Sequence, residues 1–224
     1  MAGRPGFRVH ARWQRPSADL LASFGNAASS QVADAMSRLG GMDYLVRAQW
    51  PVPRIIGAAV TVWCHAGDNI MYHKAVSLSQ PGDILVINTQ GTGNAGWGEL
   101  LATSAQKAGI RGVIVDGMVR DIDALEAMRF PVWARGLSVS GCNKDGGGEV
   151  GAVIACGGVA VRPGDVIVAD RDGATVVPLV DAAEVAAFSM EIVRKEHKRL
   201  EEIARGVLVR PEIDETLRRA GAIE

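Results

Sequence analysis

The sequence predicts an α/β protein with a mixed β-sheet system in a single domain. Between residues 83 and 134, short apolar, β-branched runs alternate with helical stretches, which is typical of parallel strands joined by helices. After residue 150, two apolar runs flank the turn-forming residues 170–173, which predicts an antiparallel hairpin. Parallel and antiparallel pairing are therefore both expected.

The elements before this core are predicted from their capping and breaking residues. Ser29 or Ser30 can cap a helix, Asp68 can cap another, and Pro81 ends the second, because these residue types favour helix ends. In order, we expect a loosely held basic arm, a helix, a strand and a helix: residues 1–16, 29–38, 57–63 and 69–80.

The remaining elements follow from hydrophobic periodicity. Strands are expected at 83–88, 112–116 and 130–134, then at 159–170 and 173–178, and helices at 99–108 and 121–128. From about residue 181 the C-terminus is predicted to be helical, with Val185, Phe188 and Ile192 on one face. We expect residues 1–224 to form one domain, with 181–224 as its C-terminal helices.

Composition excludes several classes of protein. The net charge is −1 and 22% of residues are charged, which predicts neither a nucleic-acid nor a membrane partner. The start of the chain lacks the apolar stretch of a secretory signal, and no apolar run is long enough to span a bilayer. The three cysteines form no CxxC pair, which disfavours a zinc site. We expect a cytoplasmic protein.

Two segments, residues 96–102 and 116–121, lie where a predicted strand leads into a helix. Ligands bind at such strand ends in α/β folds, and the free N–H groups of a helix start suit a carboxylate. One interpretation of this pair is that Arg120 is a surface arginine and Asp121 caps the next helix. Alternatively, Arg120 binds a carboxylate or oxo group, and Asp121 and Glu99 hold a hard metal ion.

Several segments together resemble the RraA-like family of proteins, over residues 25–205. The segments that carry this resemblance are residues 67–69, 80–83, 97–102, 116–121, 130–136, 156–165 and 169–178. The family includes class II aldolases that act on 4-hydroxy-4-methyl-2-oxoglutarate and 4-carboxy-4-hydroxy-2-oxoadipate. The resemblance implies a layered α/β/β/α sandwich that assembles as a homotrimer or homohexamer.

The aldolase members of the family are similar in carrying an acid-X20-Arg-Asp pattern. This chain has a similar pattern, in which the twenty positions 100–119 separate Glu99 from Arg120-Asp121. The resemblance implies that Asp121 and Glu99 hold Mg²⁺ or Mn²⁺, and that Arg120 binds a small 2-oxo acid. It also implies that the helix start takes the substrate carboxylate, and that a glutamate from a neighbouring subunit completes the site. The residues concerned are Gly98, Leu100 and Leu101 at the helix start, and Glu196 as the match for the neighbour's acid.

The resemblance implies cleavage of the C3–C4 bond to release a pyruvate enolate, and oxaloacetate decarboxylation through the same enolate. Aldolase members resemble one another in carrying aspartate where this chain has Glu99. The added methylene of glutamate displaces the carboxylate, and this displacement affects which substrate fits. The glutamate carboxylate still suits a magnesium ion.

Four other interpretations remain open. Residues 91–96 form a GxGxxG pattern with Asp116 further on, which is the pattern of a dinucleotide site. The founding RraA protein resembles this chain and binds a ribonuclease, so a non-catalytic regulator is the main alternative. A metal site of His65, His73 and Asp68, and a contact of Arg135 or Lys144 with a distal carboxylate, are weaker hypotheses.

Overall fold

A computed structural model describes residues 3–224 of the chain. The strands are β1 Gly3–Arg4, β2 Phe7–Val9, β3 Arg47–Ala48, β4 Ile55–Cys64, β5 Ile84–Asn88, β6 Ala95–Trp97, β7 Gly112–Val119, β8 Val132–Leu137, β9 Gly148–Val150, β10 Ile154–Cys156, β11 Val159–Val161, β12 Val166–Ala169 and β13 Ala174–Val177. The helices are α1 Ala18–Ser23, α2 Ser29–Ala35, α3 Ile70–Leu78, α4 Glu99–Lys107, α5 Ile122–Ala127, α6 Ala182–Ala204 and α7 Pro211–Arg219.

The main sheet is mixed, as predicted. Its strand order is β1-β2-β9-β4-β5-β7-β8-β3. The central strands β4, β5, β7 and β8 are parallel, whereas β9 and β3 pair antiparallel with β4 and β8. The hairpin β12–β13 is antiparallel and joins residues 55–58 at the start of β4. Strand β4 therefore belongs to two ladders and connects them.

Three hydrophobic cores separate the layers. Val113 and Val115 of β7 face a core shared with helices α3, α4 and α5. Ile114, on the other face of β7, packs with residues of strands β10 to β13. The outer face of that second β-layer, which includes Val166 and Val168, packs against α1, α2 and α6. The order of layers is α/β/β/α, which confirms the expected fold class.

The predicted strand 159–170 is wrong in one respect. It divides into β11 and β12, because Arg162-Pro163-Gly164-Asp165 forms a turn in which Asp165 Oδ2 accepts a hydrogen bond from the amide of Arg162 at 2.8 Å. Proline and glycine in sequence favour such a turn. Strand β11 then pairs with β10, while β12 pairs with β13 and β4.

The N-terminal arm is not loosely held over the part that is described, residues 3–16. Strand β2 pairs in parallel with β9, and the amide of His10 donates to the carbonyl of Val150 at 2.9 Å. Arg15 then forms an ion pair of 2.9 Å with the buried carboxylate of Asp83. Residues 1 and 2 of the expected arm lie outside the described residues.

The helix boundaries differ slightly from the predicted ones. Helix α2 begins at Ser29, and its N-cap is Ala28, whose amide donates to the Gln31 side chain at 2.8 Å. Helix α6 buries Val185 in the outer core but leaves 46% of Phe188 exposed, so the predicted apolar face is only partly covered. Within residues 3–224, none of the helices combines the length and the hydrophobicity that a bilayer crossing needs.

Candidate functional site

A cavity of about 450 Å³ lies at the strand-to-helix junctions that the sequence singled out. Strand β6 pairs with the end of β7, which brings the start of α4 beside the start of α5. The first turn of α3 and the loop of residues 138–147 close the other sides. The lining residues are Asn69, His73, Ala95, Gly96, Gly98, Glu99, Leu100, Leu101, Arg120, Asp121, Gly141, Cys142 and Lys144.

Asp121 joins the two helix starts. It has left-handed backbone angles, φ 60° and ψ 38°, which aspartate tolerates better than most residues. Its carboxylate makes no capping bond to α5, and Oδ2 instead accepts the amide hydrogen of Glu99 at 3.0 Å. Asp121 is therefore the N-cap residue of α5 by position, as the simpler interpretation expects, but its side chain caps α4.

Gly98 makes this contact possible. A Cβ atom at position 98 would lie 2.3 Å from Oδ2 of Asp121 and 3.1 Å from Cγ of Arg120. The backbone of Gly98 is extended, with φ −165°, so the glycine is required for space and not for its backbone angles. The absence of a side chain at position 98 thus lets the carboxylate reach the helix start.

The start of α4 offers hydrogen-bond donors to the cavity. Asp121 occupies the amide of Glu99, while the amides of Leu100 and Leu101 lie in the first turn, where a helix provides no carbonyl partner. The positive end of the helix dipole adds to their attraction for an anion. This first turn can therefore bind a carboxylate.

Arg120 supplies the cavity with a positively charged group. Its amide donates to the carbonyl of Trp97 at 3.0 Å, which fixes the backbone, and its side chain is 48% exposed. The guanidinium Nε lies 3.7 Å from Asp121 Oδ2, and Nη1 lies 3.0 Å from the position of a Cβ on Gly141. The planar guanidinium retains donors for a carboxylate or oxo group.

Helix α3 adds Asn69 and His73, which sequence reasoning did not assign to the site. They are four residues apart and so share one face of the helix. Asn69 Nδ2 donates to the carbonyl of Gly96 at 2.9 Å, whereas its buried Oδ1 has no hydrogen-bond partner in the described chain. Burial, and then the charge of Lys144, lower the pKa of His73. In the sequence, the only indication of these two residues is their four-residue spacing directly after the Gly67-Asp68 turn.

The oxygen atoms in the cavity are compatible with a hard metal ion. Glu99 and Asp121 provide carboxylates, and Asn69, whose buried Oδ1 has no hydrogen-bond partner in the described chain, lines the same cavity. Mg²⁺ typically binds one or two carboxylates and keeps several waters. Among residues 3–224, no set of three or more histidine, cysteine, aspartate or glutamate side chains is grouped to hold a metal. Any ion would therefore need waters or substrate oxygens as further ligands.

Three other predicted residues do not line the cavity. Glu196, on α6, accepts a hydrogen bond from Gln31 and does not line the cavity. Its prediction as a ligand in a neighbouring subunit's site stays a prediction. Of the histidine and aspartate set, Asp68 is buried and its carboxylate binds backbone amides, and His65 packs edge-on against Trp63.

The dinucleotide interpretation is disfavoured by the geometry. Asp116, which would bind a ribose, instead accepts hydrogen bonds from Arg135 Nε and from the amide of Gly157. Arg135 also binds Asp43 at 3.0 Å, and both carboxylates raise its pKa. Strand β6 separates the Gly-rich loop from α4, so the loop does not turn directly into the helix. Arg135 is likewise engaged away from the cavity.

Comparison with protein families and curated relatives gives consistent matches. A family model described as "RraA-like: Aldolase/RraA" matches residues 29–176. A relative from Halalkalibacterium halodurans is 36% identical over 161 residues, which cover 71% of this chain and 77% of that protein. Its name is "Putative 4-hydroxy-4-methyl-2-oxoglutarate aldolase".

Solved structures share the fold. A protein from Pseudomonas syringae has a TM-score of 0.77 and 25% identity, and the match covers 87% of this chain and 92% of that one. RraAS2 from Streptomyces coelicolor, titled "an unusual member of the RNase ES inhibitor RraA protein family", has a TM-score of 0.71 and 28% identity. That match covers 87% of this chain and 99% of RraAS2.

Proposed function

Because this chain belongs to the RraA-like family, we propose that it is a carbon–carbon lyase that releases pyruvate. The substrates proposed are 4-hydroxy-4-methyl-2-oxoglutarate or 4-carboxy-4-hydroxy-2-oxoadipate, with oxaloacetate decarboxylation as a second activity. One observation carries the proposal: Arg120, the Asp121 carboxylate and the first amides of α4 line a single cavity of about 450 Å³. The aldolase names of curated relatives support it.

We propose Mg²⁺ or Mn²⁺ as the cofactor, held by Asp121 and Glu99, with Asn69 Oδ1 as a further acceptor beside it. The fit rests on the oxygen donors that line the cavity and on the unsatisfied Asn69 Oδ1. When bound, such an ion would stabilise negative charge on the 2-oxo oxygen of the substrate.

The residues of the chain have distinct roles in this scheme. The amides of Leu100 and Leu101 bind the C1 carboxylate, and the guanidinium of Arg120 binds at the 2-oxo oxygen. When the C4 hydroxyl loses its proton, the C3–C4 bond breaks, C4 becomes a carbonyl and the C3 fragment becomes the enolate of pyruvate. The enolate oxygen gains negative charge next to Arg120, and protonation at C3 then yields pyruvate.

We also propose assembly as a homotrimer or homohexamer, in which Glu196 reaches a neighbour's site. Beside the cavity, Leu100, Leu137 and Val139 are 82%, 54% and 95% exposed. Apolar side chains exposed in this way next to a site favour burial against another subunit. Light scattering after size exclusion would report a monomer if this is wrong. The cytoplasmic location stays a prediction.

The deciding experiment is pyruvate release, coupled to lactate dehydrogenase, from oxaloacetate and from 4-hydroxy-4-methyl-2-oxoglutarate, with Mg²⁺ or with EDTA. Asp121→Asn keeps the side-chain size and the tolerance for left-handed angles, and we expect turnover to fall about a hundred- to a thousandfold, as for Arg120→Ala. Matched controls are Asp34→Asn and Arg171→Ala, two exposed positions outside the cavity. Turnover of Asp121→Asn within twofold of wild type would contradict the proposal.

A regulator that binds a ribonuclease is the second candidate, favoured by the similarity to RraAS2. It predicts no pyruvate from a folded, metal-loaded sample, together with inhibition of an RNase E-type enzyme by the purified chain. The presence of Glu99 and of the Arg120-Asp121 pair in one cavity favours the lyase. A test of both activities on one preparation separates the two candidates.

A further inference from the structure

Lys144 provides the cavity with a second positive charge, apart from Arg120. It lies on the loop of residues 138–147 and lines the cavity, and the charges of both Lys144 and Arg120 act on the thiol of Cys142. Within residues 3–224, no carboxylate lies within ion-pair distance of Lys144. The ammonium group is thus available to a ligand.

The backbone on both sides of Lys144 is held in place by the β4–α3 connection. Before it, Asn143 donates to the carbonyl of Gly67 at 2.8 Å and accepts from the amide of Asn69 at 3.0 Å. After it, the amides of Asp145 and Gly146 donate to Asp68 Oδ2 at 2.9 and 2.7 Å. Lys144 therefore projects from a fixed point of the loop.

Asp68 is the anchor of this arrangement. Its side chain is 4% exposed, and its second oxygen, Oδ1, accepts the amide hydrogen of Ile70 at 2.8 Å. A Cβ at position 146 would lie 2.9 Å from Asp68 Cγ, so glycine allows the loop to approach. Burying a carboxylate is costly unless it is fully hydrogen-bonded, and here its bonds hold the loop that carries Lys144.

We propose that Lys144 selects substrates with a second carboxylate, and that Asp68 is a positioning residue for it. The inference rests on the proposed function and names its substrate class, the 2-oxo dicarboxylates. The helix start and Arg120 are assigned to the C1 carboxylate and the 2-oxo oxygen, so the distal carboxylate needs another cation. His73 lines the same cavity as Lys144, and its imidazole offers a further hydrogen-bonding group there.

The test compares two uncleavable ligands of equal chain length, 2-oxoglutarate and 2-oxopentanoate, which differ in the C5 carboxylate. Isothermal titration is run on the full chain with Mg²⁺, with pyruvate as a third ligand. We expect wild type to bind 2-oxoglutarate about ten- to a hundredfold more tightly than 2-oxopentanoate, the range for a hydrogen bond between charged groups. Lys144→Met should remove this preference and leave the Kd of 2-oxopentanoate unchanged.

The matched control is Lys107→Met, at an exposed lysine in the last turn of α4 and outside the cavity, which should keep the preference. Asp68→Asn should reduce the preference for 2-oxoglutarate over 2-oxopentanoate. The measurement is made well below the Tm of the variant, where lower stability alone does not change the ratio of the two Kd values. An unchanged ratio in that variant would exclude Asp68 from the proposal.

The outcomes separate this inference from the proposed function. A retained preference in Lys144→Met overturns the inference, as does an equal weakening of both ligands, which would mean that Lys144 acts on their shared part. No preference in wild type also overturns it while leaving the lyase intact. Failure of wild type to bind any of the three 2-oxo acids, pyruvate included, would instead count against the proposed function.

Discussion

Replacement of Gly98 by alanine tests the contact between the two helix starts. The added Cβ would lie 2.3 Å from Asp121 Oδ2, whereas an ordinary contact begins at 3.4 Å. The carboxylate must therefore move by about 1 Å, or α4 must move away from α5. Because the backbone at Gly98 is extended, alanine adds no strain of its own, and the effect acts through Asp121.

Two magnitudes follow from this displacement. A shift of about 1 Å in a reacting group costs on the order of a hundredfold in turnover, so we expect kcat/KM to fall by about that factor. The hydrogen bond from the Glu99 amide to Asp121 is lost as well. Loss of a helix cap lowers the free energy of unfolding by about 0.5–2 kcal/mol.

The assay measures pyruvate release at saturating Mg²⁺, with thermal unfolding recorded on the same samples. Gly93→Ala is the matched control, because it lies in the preceding loop and its Cβ would meet nothing within 4 Å. We expect Gly93→Ala to behave as wild type in both measurements. If Gly98→Ala also keeps wild-type kcat/KM, the contact between Asp121 and α4 has no part in turnover and the reasoning is refuted.

Three further predictions concern the cysteines and the N-terminal arm. Iodoacetamide should label only Cys142 in the folded chain, slowly because burial raises its pKa, and a bound 2-oxo acid should slow it further. Mass spectrometry measures this, and a rate independent of ligand would contradict it. Burial raises the pKa of Cys64 from 9.0 to about 12, so its stabilising contribution is present below pH 9 and is lost between pH 9 and 12. Between pH 9 and 12 the Tm of Cys64→Ala should therefore fall less steeply with pH than the Tm of wild type. Equal slopes of Tm against pH would contradict a stabilising role of the buried thiol. Asp83→Ala leaves Arg15 without its buried partner and should lower the free energy of unfolding by about 3–5 kcal/mol in urea titration; a loss under about 1 kcal/mol would show that the pair contributes little.

The sequence was sufficient for the mixed α/β class and for the two segments that line the candidate cavity. Alternating runs between residues 83 and 134 predicted β5, β7 and β8 and their helices, because local periodicity reflects burial directly. Residues 170–173 predicted the β12–β13 hairpin for a similarly local reason. Residues 96–102 and 116–121 were each expected to lie where a strand leads into a helix, and residues of both segments line one cavity.

The features that were missed depend on contacts between distant parts of the chain. Whether Asp121 caps α5 or α4 is decided by the space at Gly98, 23 positions earlier, and propensity alone favours the nearer helix. The arm at residues 3–16 was expected to be loose because its charge and prolines describe an exposed segment. Its pairing with β9 and the bond from Arg15 to Asp83 join residues more than 60 positions apart.

The attachment of the 138–147 loop has a consequence for how this protein can diversify. The loop is tied to the body by the Asp68 carboxylate at one end and by Asn94, whose side chain donates to the carbonyl of Gly141 at 2.7 Å, at the other. Between these ties the backbone of Asn143 is also bonded to Gly67 and Asn69, so the side chains of Cys142 and Lys144 can change in size and charge while the backbone keeps its position. If the proposed lyase activity and the role of Lys144 hold, substitutions at residues 142 and 144 should change which 2-oxo acids bind while Arg120, Asp121 and the start of α4 stay in place.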